Sequence, residues 1–439
     1  MNVVESGFGL PDEAVVRLQE KKQRMRRRLS WLLVVTALMS AAVLIGCSPK
    51  YSSTSNGLVV VSTQGNPVMD MFSLDLGNGH MTQIYDTAGP PTDGIPTTVI
   101  LAPGGAYAYV LVTASSYVTG GGVTGVETFT VASDGKLGPV GTTNLAAMGS
   151  TPVKPTAMVI DSAGKYLFVA DVSPASGVPG SISVLAVGSG GGLTEVTGSP
   201  FALVSEAGGT TPSASALAVS PTVYPPAYSI CSGNTPPTTE NLYVTDSVNY
   251  FVVNYAVSSS GALTVVPATA LTPGYATGTN PTGVTVDPCN RFVYVANGQP
   301  SNNVTAFTVC YTVSLPSCPY ANFSLLPISG SPFTAGPGPV TLTVDPLGGF
   351  LYVLDQQENA IRPYSISNTT GTLTALSPAY SGSNQFPTSM AIRSDDSWMF
   401  VTNLNSASLS QYAINPSTGA LTTQPPVQTD NFPWGVAVR

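Results

Sequence analysis

The 439-residue sequence has few charged residues and few of the side chains that carry out acid–base or metal chemistry. Asp, Glu, Lys and Arg together make up 9% of the chain, and His80 is its only histidine. With one histidine and no C-x-x-C pair, no metal site is expected, and neither Ser-His nor Cys-His catalysis is supported. His80 lies in a Gly-Asn-Gly-His stretch and is predicted to be a solvated turn residue at the outer rim of the fold.

Turn-forming and β-forming residues are abundant instead. The chain contains 44 Gly and 38 Pro, 43% of its residues are hydrophobic, and helical periodicity is absent beyond residue 50. This composition favours an all-β fold over disorder. Residues 1–46 hold seven of the 15 Lys and Arg and four of the 23 Asp and Glu, which leaves 8 basic and 19 acidic residues, or a net charge of −11. An acidic body without a basic stripe excludes nucleic acid as a partner.

The N-terminus has the pattern of a secretory signal. A basic segment, Lys21–Arg28, precedes an apolar run of 17 residues, Leu29–Ile45. This run is shorter than the ~20 residues that span a bilayer comfortably. A basic region followed by a short apolar run describes a signal peptide. The ending Leu44-Ile45-Gly46-Cys47 resembles the bacterial lipobox, so residues 1–46 are predicted to be a lipoprotein signal peptide.

The lipobox resemblance implies that Cys47 becomes the lipid-modified first residue of the mature protein, followed by a polar tether that makes residues 47–57 a linker. The folded part is then expected to be lipid-anchored in a bacterial cell envelope, facing the periplasm or the cell exterior. The alternative is an uncleaved N-terminal anchor with Cys47 unmodified. Because the stretch before the apolar run is long, Met25 is predicted to be the true start of the precursor.

Two kinds of short apolar strand alternate along residues 58–439. The first kind is β-branched and aromatic and is apolar except at its ends, as expected for strands buried on both faces. Its seven copies are Leu58–Thr63, Tyr107–Val112, Tyr166–Asp171, Asn241–Asp246, Phe292–Asn297, Phe350–Asp355 and Trp398–Asn403. The second kind opens at a proline, and its seven copies begin at Pro96, Pro155, Pro212, Pro281, Pro339, Pro387 and Pro433.

This order of strands predicts an all-β fold, a seven-bladed β-propeller of four-stranded antiparallel blades over residues 58–439. Each complete copy runs from a proline strand to an aromatic strand, a third strand and a Gly-x-Leu-Thr fourth strand such as Gly261–Val265. The first copy lacks its proline strand, and the last copy is only a proline strand. Trp434–Val438 (residues 434–438) is therefore predicted to be the innermost strand of the N-terminal blade, residues 58–84, which closes the ring and leaves no unpaired inner edge.

The segments Tyr243–Asp246, Tyr294–Asn297 and Tyr352–Asp355 resemble YVTN-type propeller repeats. The longer unit VDPCNRFVYVANGQPSNNVTAF resembles the lactonase-like family of seven-bladed propellers, which includes phosphogluconolactonase, and the resemblance covers about residues 58–439. It implies the propeller fold and lactone hydrolysis. Relatives carry a histidine after the strand-opening proline, whereas the matching positions here are Thr97, Thr156, Ser213, Thr282, Val340, Thr388 and Trp434.

The clearest candidate binding site is a set of polar residues at the ends of the aromatic strands. By repeat equivalence these positions form a ring around one mouth of the central channel, and the ligand-binding candidates among them are Asp171, Asp246, Asn297, Asp355 and Asn403. Three carboxylates and two amides could bind a cation or sugar hydroxyls. The alternative is that each side chain caps the turn that leaves its own strand.

Other charged residues in the repeats have structural explanations. Asp161, Asp287 and Asp345 end proline strands at Asp-Ser or Asp-Pro and are predicted to make turns. Three interior arginines are candidate anion anchors, although pairing with a nearby Asp is the favoured alternative. They are Arg291, Arg362 and Arg393.

Four cysteines remain after Cys47, an even number in an oxidising location. Cys231 and Cys289 lie in equivalent turns of consecutive copies, and Cys310 and Cys318 flank a short excursion between two strands of one blade. The disulfides predicted from these positions are Cys231–Cys289 and Cys310–Cys318, which would hold long loops together.

Three functions fit the sequence. The first is an envelope lipoprotein that binds a protein or a glycan with the loop faces of a rigid ring. The second is a lactone hydrolase, as the family resemblance implies. The third is a mainly structural module. In each case a monomer without a cofactor is expected, bound to the membrane through the lipid on Cys47.

Overall fold

The computed structural model describes residues 57–85, 89–114, 122–146, 153–204, 209–222, 239–269, 272–310, 323–378, 380–381 and 385–439. These belong to one compact unit, residues 56–439. The predicted signal peptide, the lipidation site Cys47 and nearly all of the predicted tether lie outside the described residues. No helix in the described part of the chain is long and apolar enough to cross a membrane.

The described chain forms seven antiparallel sheets, the blades of a propeller. Blade 1 contains β1 (Gly57–Thr63), β2 (Val68–Leu74) and β3 (Met81–Gln83), and blade 2 contains β4 (Ile95–Leu101), β5 (Tyr107–Thr113), β6 (Gly125–Val131) and β7 (Leu137–Asn144). Blade 3 contains β8 (Pro155–Ile160), β9 (Tyr166–Asp171), β10 (Ser181–Val187), β11 (Leu193–Glu195) and β12 (Phe201–Ala202). Blade 4 contains β13 (Ala214–Val219), β14 (Glu240–Asp246), β15 (Phe251–Val257), β16 (Leu263–Val266) and β17 (Gly274–Ala276).

Blade 5 contains β18 (Pro281–Val286), β19 (Phe292–Asn297), β20 (Asn303–Val309), β21 (Leu325–Pro327) and β22 (Phe333–Thr334). Blade 6 contains β23 (Pro339–Val344), β24 (Phe350–Asp355), β25 (Ala360–Ile366), β26 (Leu373–Ala375) and β27 (Tyr380–Ser381). Blade 7 contains β28 (Pro387–Ile392), β29 (Trp398–Asn403), β30 (Ser408–Ile414) and β31 (Leu421–Gln428), with a single 3₁₀ turn at Leu404–Ser406. The last strand is β32 (Pro433–Val438).

The ring closes as the sequence predicts. β32 pairs antiparallel with β1, with Val436 opposite Val61 and Val438 opposite Val59, so the innermost strand of blade 1 comes from the C-terminus. The inner strands contact one another in the order β32, β4, β8, β13, β18, β23, β28 and back to β32. The prediction of seven blades closed by the C-terminal strand is therefore confirmed.

The outer edges of blades 3 to 6 differ from the prediction of four simple strands. In each of these blades the third strand pairs with two short strands in succession, as β10 does with β11 and then with β12. The outermost edge is thus made of two pieces, and a short outer edge strand limits pairing with other chains.

The core lies between adjacent blades. The second strand of every blade is buried along nearly its whole length, as predicted for the aromatic strands. Between blades 7 and 1, for example, Phe400 packs with Val59, Val61 and Val436. Apolar side chains alternate between the two faces of each second strand, so each blade contributes to two such interfaces.

A β-bulge occurs near the start of the inner strand in all seven blades, which turns one side chain toward the ring centre. In blades 2 to 7 the bulged residues are Thr97, Thr156, Ser215, Thr282, Val340 and Thr388. The prediction for blade 4 was wrong by two residues, because its inner strand begins at Ala214 and Ser215, not Ser213, takes the bulged position. The proline at 212 suggested the strand start, but the hydrogen-bonded register places Ala214 where the other blades have their proline.

Candidate functional site in the central cavity

A cavity of about 570 Å³ lies at the centre of the ring, where the inner strands begin. We call this side of the ring the proline face, because six of the seven inner strands begin with a proline or have one as second residue at that end. The lining consists of the bulged residues of the inner strands and their neighbours, together with Ser247, Asn280, Gln356 and Trp434. Hydroxyl, amide, backbone and apolar groups make up this lining, and none of the described lining residues carries an ionisable side chain.

Hydroxyl groups of most bulged residues join neighbouring blades, whereas Thr97 Oγ1 donates to the Leu111 carbonyl oxygen of its own blade at 3.2 Å. Thr282 Oγ1 donates a hydrogen bond to the Pro339 carbonyl oxygen at 2.8 Å, and Ser215 Oγ donates to the Pro281 carbonyl oxygen at 2.7 Å. Thr388 Oγ1 donates to the Trp434 carbonyl oxygen at 2.9 Å, across the boundary between blades 7 and 1. These inner-ring hydrogen bonds use side chains at the positions where the lactonase-like relatives are expected to carry histidines.

In blade 6 a different residue makes the equivalent hydrogen bond to the next blade. Val340 occupies its bulged position and has no hydroxyl group, but Gln356 Nε2 donates to the Pro387 carbonyl oxygen of blade 7 at 3.0 Å. At the boundary between blades 1 and 2, Ser62 Oγ donates to the Thr97 carbonyl oxygen at 3.2 Å. In blades 6 and 1, where the bulged position has no hydroxyl group, another side chain therefore makes the hydrogen bond to the next blade.

The five predicted ligand-binding residues are not among those that line the cavity. They lie one strand further out, in five different blades, and are at most 3% exposed. Each makes hydrogen bonds within its own blade, so the structure does not bring them together as one cluster. As ligand-binding residues they stay a prediction.

Asp246 behaves as a turn cap. Its Oδ1 accepts hydrogen bonds from the backbone N–H groups of Ser213 and Val248, both at 3.0 Å, and its Oδ2 accepts one from Asn249 Nδ2 at 2.6 Å. This is the alternative that the turn chemistry suggested for the whole ring.

The other four residues bond mainly to the third strand of their blades. Asp171 Oδ2 accepts from the hydroxyl groups of Ser181 at 3.2 Å and Ser183 at 3.4 Å. Asn297 Nδ2 donates to Thr305 Oγ1 at 2.9 Å, and Asn403 Nδ2 donates to Ser410 Oγ at 3.0 Å. Asp355 Oδ2 accepts from Arg362 Nε at 2.6 Å.

Burial sets the protonation behaviour of these carboxyl groups. Removal from water raises the pKa of Asp171 to about 7, with hydrogen bonds from two serines acting in the opposite direction. Burial also raises the pKa of Asp355 to about 6, although the Arg362 guanidinium favours the ionised form.

The acids that end the inner strands make turns, as predicted. Asp161 Oδ1 accepts from the Lys165 N–H at 2.6 Å, and Asp345 Oδ1 accepts from the Phe350 N–H at 2.6 Å. Asp287 accepts from the backbone of Arg291 and Phe292 in the same way.

Each interior arginine is paired with an acid, which confirms the favoured alternative to an anion anchor. Arg291 Nε lies 2.8 Å from Asp287 Oδ2, and Arg362 Nε lies 2.6 Å from Asp355 Oδ2. Arg393 pairs with Asp395.

The remaining predicted residues lie away from the cavity. His80 is exposed in the turn between β2 and β3, the third and fourth strands of blade 1. Cys289 and Cys310 are buried, and neither is a free thiol. Their predicted partners, Cys231 and Cys318, lie outside the described residues, so the pairing stays a prediction. Among the described residues, no group of three or more His, Cys, Asp or Glu side chains could hold a metal ion.

Sequence reasoning missed the aromatic residues at the mouth of the cavity. Phe386 and Phe432 each precede the proline of an inner strand and are exposed on the proline face, and Trp434, two residues after Phe432, lines the cavity. The signal in the sequence is the Phe-Pro pair at the start of both inner strands.

The ring closure and the uncharged central cavity define the chain as a seven-bladed β-propeller. Residues 320–434 match the family described as "Lactonase, 7-bladed beta-propeller". The resemblance to lactonase-like seven-bladed propellers that the repeats indicated is confirmed by this match and by the fold. No curated protein is similar enough in sequence to match the chain.

Solved structures with this fold include the periplasmic gluconolactonase of Pseudomonas aeruginosa, 18% identical with a TM-score of 0.66, which covers 88% of this chain and 99% of its own. A Bacteroides fragilis protein proposed to be a 6-phosphogluconolactonase is 16% identical with a TM-score of 0.64, with the same coverage of both chains. A Lactobacillus plantarum protein is 16% identical with a TM-score of 0.62, over 88% of this chain and all of its own. At these identities the likeness concerns the fold.

Proposed function

We propose that this propeller is an envelope-anchored binding module that takes a neutral carbohydrate at the proline-face mouth of its central cavity. The observation that carries the proposal is the uncharged, hydroxyl- and amide-rich lining of the cavity of about 570 Å³. A neutral ligand with many hydroxyl groups can exchange hydrogen bonds with such a lining, whereas a charged ligand would lose hydration without gaining a partner of opposite charge.

Several polar side chains in the lining are available to a ligand. Most bulged hydroxyl groups are used by the inner-ring hydrogen bonds, but Asn280, Thr341 and Ser389 line the cavity without a side-chain hydrogen bond to other described residues. Together they offer hydroxyl and amide groups that both donate and accept, which suits sugar hydroxyls. An envelope protein is the other class of partner that the sequence suggests, and the binding test separates the two.

The envelope location rests on the sequence. The lipobox resemblance at Leu44–Cys47 supports lipid attachment at Cys47, and the polar segment that follows would hold the propeller away from the membrane surface. A lipid anchor also raises the local concentration of the propeller beside cell-surface glycans, so modest affinity per site is sufficient.

The test is direct binding of soluble oligosaccharides to the full chain purified in detergent. A panel of neutral oligomers of glucose, mannose, galactose and N-acetylglucosamine, with acidic oligomers of galacturonic acid for comparison, is titrated by calorimetry. We expect at least one neutral series to bind and the acidic series not to bind.

A cavity-filling variant locates the site. Ser389→Trp fills the cavity and is expected to weaken binding at least tenfold, while Thr423→Trp, on the exposed outer edge of blade 7, leaves it unchanged. Absence of binding by every neutral oligomer, or equal binding by Ser389→Trp, would contradict the proposal.

Lactone hydrolysis is the alternative, favoured by the family description and by the gluconolactonase among the similar folds. Opening of a lactone ring by water needs a base, and the described cavity lining offers none. We expect no turnover of a panel of small lactones above the blank without protein. If both Asp171→Ala and Asp355→Ala abolish turnover, the predicted ring of polar residues at the ends of the aromatic strands is an active site. That result would replace the carbohydrate proposal.

A further inference from the structure

The exposed aromatic side chains among the described residues all lie on the proline face. They are Tyr250 (42% exposed), Phe386 (39%), Phe432 (52%) and Trp434 (38%). Single exposed apolar residues are normal on protein surfaces, but a set confined to the mouth face of a cavity is informative.

Three of these residues have a left-handed backbone. The φ angles are +62° at Tyr250, +63° at Phe386 and +59° at Phe432. This region is rarely occupied by bulky residues, because the Cβ atom crowds the backbone, and such conformations persist only where the surrounding structure enforces them. An observed backbone outlier of this kind is a starting point for a functional hypothesis.

The repeats show that other residues would be easier to accommodate. At the position before the strand-opening proline, blade 5 has Asn280 with φ +53° and blade 6 has Gly338 with φ +71°, both residue types that favour this conformation. Blades 7 and 1 have Phe386 and Phe432 at this position instead. The two phenylalanines are thus less favourable for folding than the residues used by their neighbours.

The two phenylalanines and Trp434 lie in adjacent blades at one side of the cavity. Thr388, two residues after Phe386, donates to the carbonyl oxygens of Pro433 and Trp434, the two residues that follow Phe432. The Phe432 ring packs over Gly65 in the turn between β1 and β2, where a Cβ atom on Gly65 would meet Phe432 Cδ2 at 2.8 Å. The absence of a side chain on Gly65 therefore leaves space for this ring on the proline face.

We propose that Phe386, Phe432 and Trp434 form a stacking surface for the apolar face of a sugar ring, on the blade 7 and blade 1 side of the cavity mouth. The proposal rests on the proposed carbohydrate function and specifies where the first ring binds. The C–H groups on one face of a pyranose ring pack on aromatic rings, while its hydroxyl groups point outward to the polar lining of the cavity. The absence of ionisable side chains among the described lining residues favours a neutral ring over a charged one.

Replacement of the phenylalanines by the residue that blade 5 uses separates binding from folding. Phe386→Asn and Phe432→Asn, made in the full chain, are expected to keep or raise the midpoint of denaturant unfolding, because Asn accepts the left-handed conformation. The same variants are expected to weaken at least tenfold the binding of whichever neutral oligosaccharide binds the unmodified chain most tightly. A loss of affinity without a loss of stability does not arise from misfolding.

Tyr250→Asn is the matched control. Tyr250 is also an exposed aromatic residue with a left-handed backbone on the proline face, but it lies in blade 4, across the ring from blades 7 and 1. Its replacement is expected to act on stability in the same direction and to leave binding unchanged.

Tryptophan fluorescence gives a second measurement that needs no change to the phenylalanines. The chain has three tryptophans, Trp31 in the predicted signal peptide, buried Trp398 and exposed Trp434. Titration with the bound oligosaccharide is expected to shift the emission of the unmodified chain, and Trp434→Phe is expected to abolish the shift.

The outcomes are distinguishable. If no neutral oligosaccharide binds the unmodified chain, both the carbohydrate function and the stacking surface are rejected. If one binds, but the two Asn variants bind it equally well or the Trp434 emission does not change, the stacking surface is rejected while the carbohydrate function stands.

Discussion

At the scale of single residues, the bulged position of the inner strand explains what the threonines do. The bulge turns the side chain toward the ring centre, where its hydroxyl group reaches a carbonyl oxygen of the next blade. In blade 6, where this position is Val340, Gln356 makes the equivalent bond. The polar ring at the centre of the propeller therefore has a structural role, and only the side chains outside these bonds are free for a ligand.

Thr282→Val tests this role. The substitution keeps the shape of the side chain but removes the hydrogen bond to the Pro339 carbonyl oxygen, so the free energy of unfolding is expected to fall by about 1 kcal/mol. Denaturant unfolding of the full chain measures the change.

Val340→Thr is the matched control for this substitution. It adds a hydroxyl group at the one bulged position whose carbonyl partner already accepts a hydrogen bond from Gln356, and its effect is expected to stay within about 0.5 kcal/mol. Equal stability of Thr282→Val and the unmodified chain would contradict the structural role of the threonines.

At the scale of elements, hydrogen bonds from the second strand of one blade also reach the outer part of the next blade. Buried tyrosines on these strands donate hydrogen bonds to the outer turn of the next blade. Tyr294 donates to the Gly371 carbonyl oxygen at 2.9 Å and Tyr352 donates to the Gly419 carbonyl oxygen at 3.0 Å. The tyrosine of the YVTN-type repeat therefore connects one blade to the next, and the glycine in the outer turn leaves room for a phenylalanine ring, Phe292 beside Gly371 and Phe350 beside Gly419.

Ring closure by β32 is the other element on which the fold depends. Val436 is 7% exposed and packs between blades 7 and 1, so Val436→Asp places a charged group in the core without a partner. We expect a loss of at least about 3 kcal/mol in the free energy of unfolding. Denaturant unfolding measures it.

Thr423→Asp places the same residue on the exposed outer strand of blade 7 and is expected to change the free energy of unfolding by less than about 0.5 kcal/mol. Equal effects of the two aspartates would mean that the closing strand does not hold the ring together.

At the scale of the whole molecule, the chain buries several carboxyl groups but has few cations to pair with them. Burial raises the pKa of each of these groups. The values are about 6 for Asp70 and Asp355, about 7 for Glu127, Asp171 and Asp396, and about 8 for Glu240. In the unfolded chain the same groups have ordinary pKa values of about 4, so the folded state holds protons more tightly.

Stability is therefore expected to fall as pH rises. The stabilising contribution of these buried carboxyl groups is fully present below about pH 4, and it is lost as pH rises through the folded-state pKa values of about 6 to 8. The midpoint of denaturant unfolding is expected to be higher at pH 5 than at pH 8. The opposite order would show that these groups are ionised in the folded state at little cost.

Glu240→Gln gives the residue-specific form of this test. Glu240 is 7% exposed, its carboxyl group faces Asp161 and Lys165, and burial with the nearby Asp161 raises its pKa. The neutral glutamine is expected to stabilise the fold at pH 8 by on the order of 2 kcal/mol and to change it little at pH 5, since one pKa unit corresponds to about 1.4 kcal/mol. Asp134→Asn, at an exposed ion pair with Lys136, is the control and is expected to show no such pH dependence.

The lipid anchor is also a property of the whole molecule. If Cys47 carries a lipid, Cys47→Ala is expected to move the protein from the membrane fraction to the soluble fraction of the producing bacterium, or to leave an unprocessed precursor. Mass spectrometry of the mature N-terminus measures the lipid directly. An unmodified Cys47 preceded by the intact apolar run would favour the uncleaved anchor.

The sequence by itself determined the strand order, the number of blades and the closure of the ring. These follow from local patterns, because a strand buried on both faces must be apolar along its length and because an incomplete first copy can be completed only by the last strand. The turn-making acids Asp161, Asp287 and Asp345 were also predictable, since their hydrogen bonds reach only four or five residues along the chain.

Only the tertiary structure decided what faces the cavity. The sequence placed Asp171 and Asn297 at a channel mouth, but both are buried one strand further out, because the third strand of each blade offers them hydroxyl partners. It also could not show that Ser215 occupies the bulge of blade 4, or that Phe386 and Phe432 have left-handed backbones at the mouth. Register, bulges and backbone conformation at such positions depend on the neighbouring strands and blades, which no stretch of sequence contains.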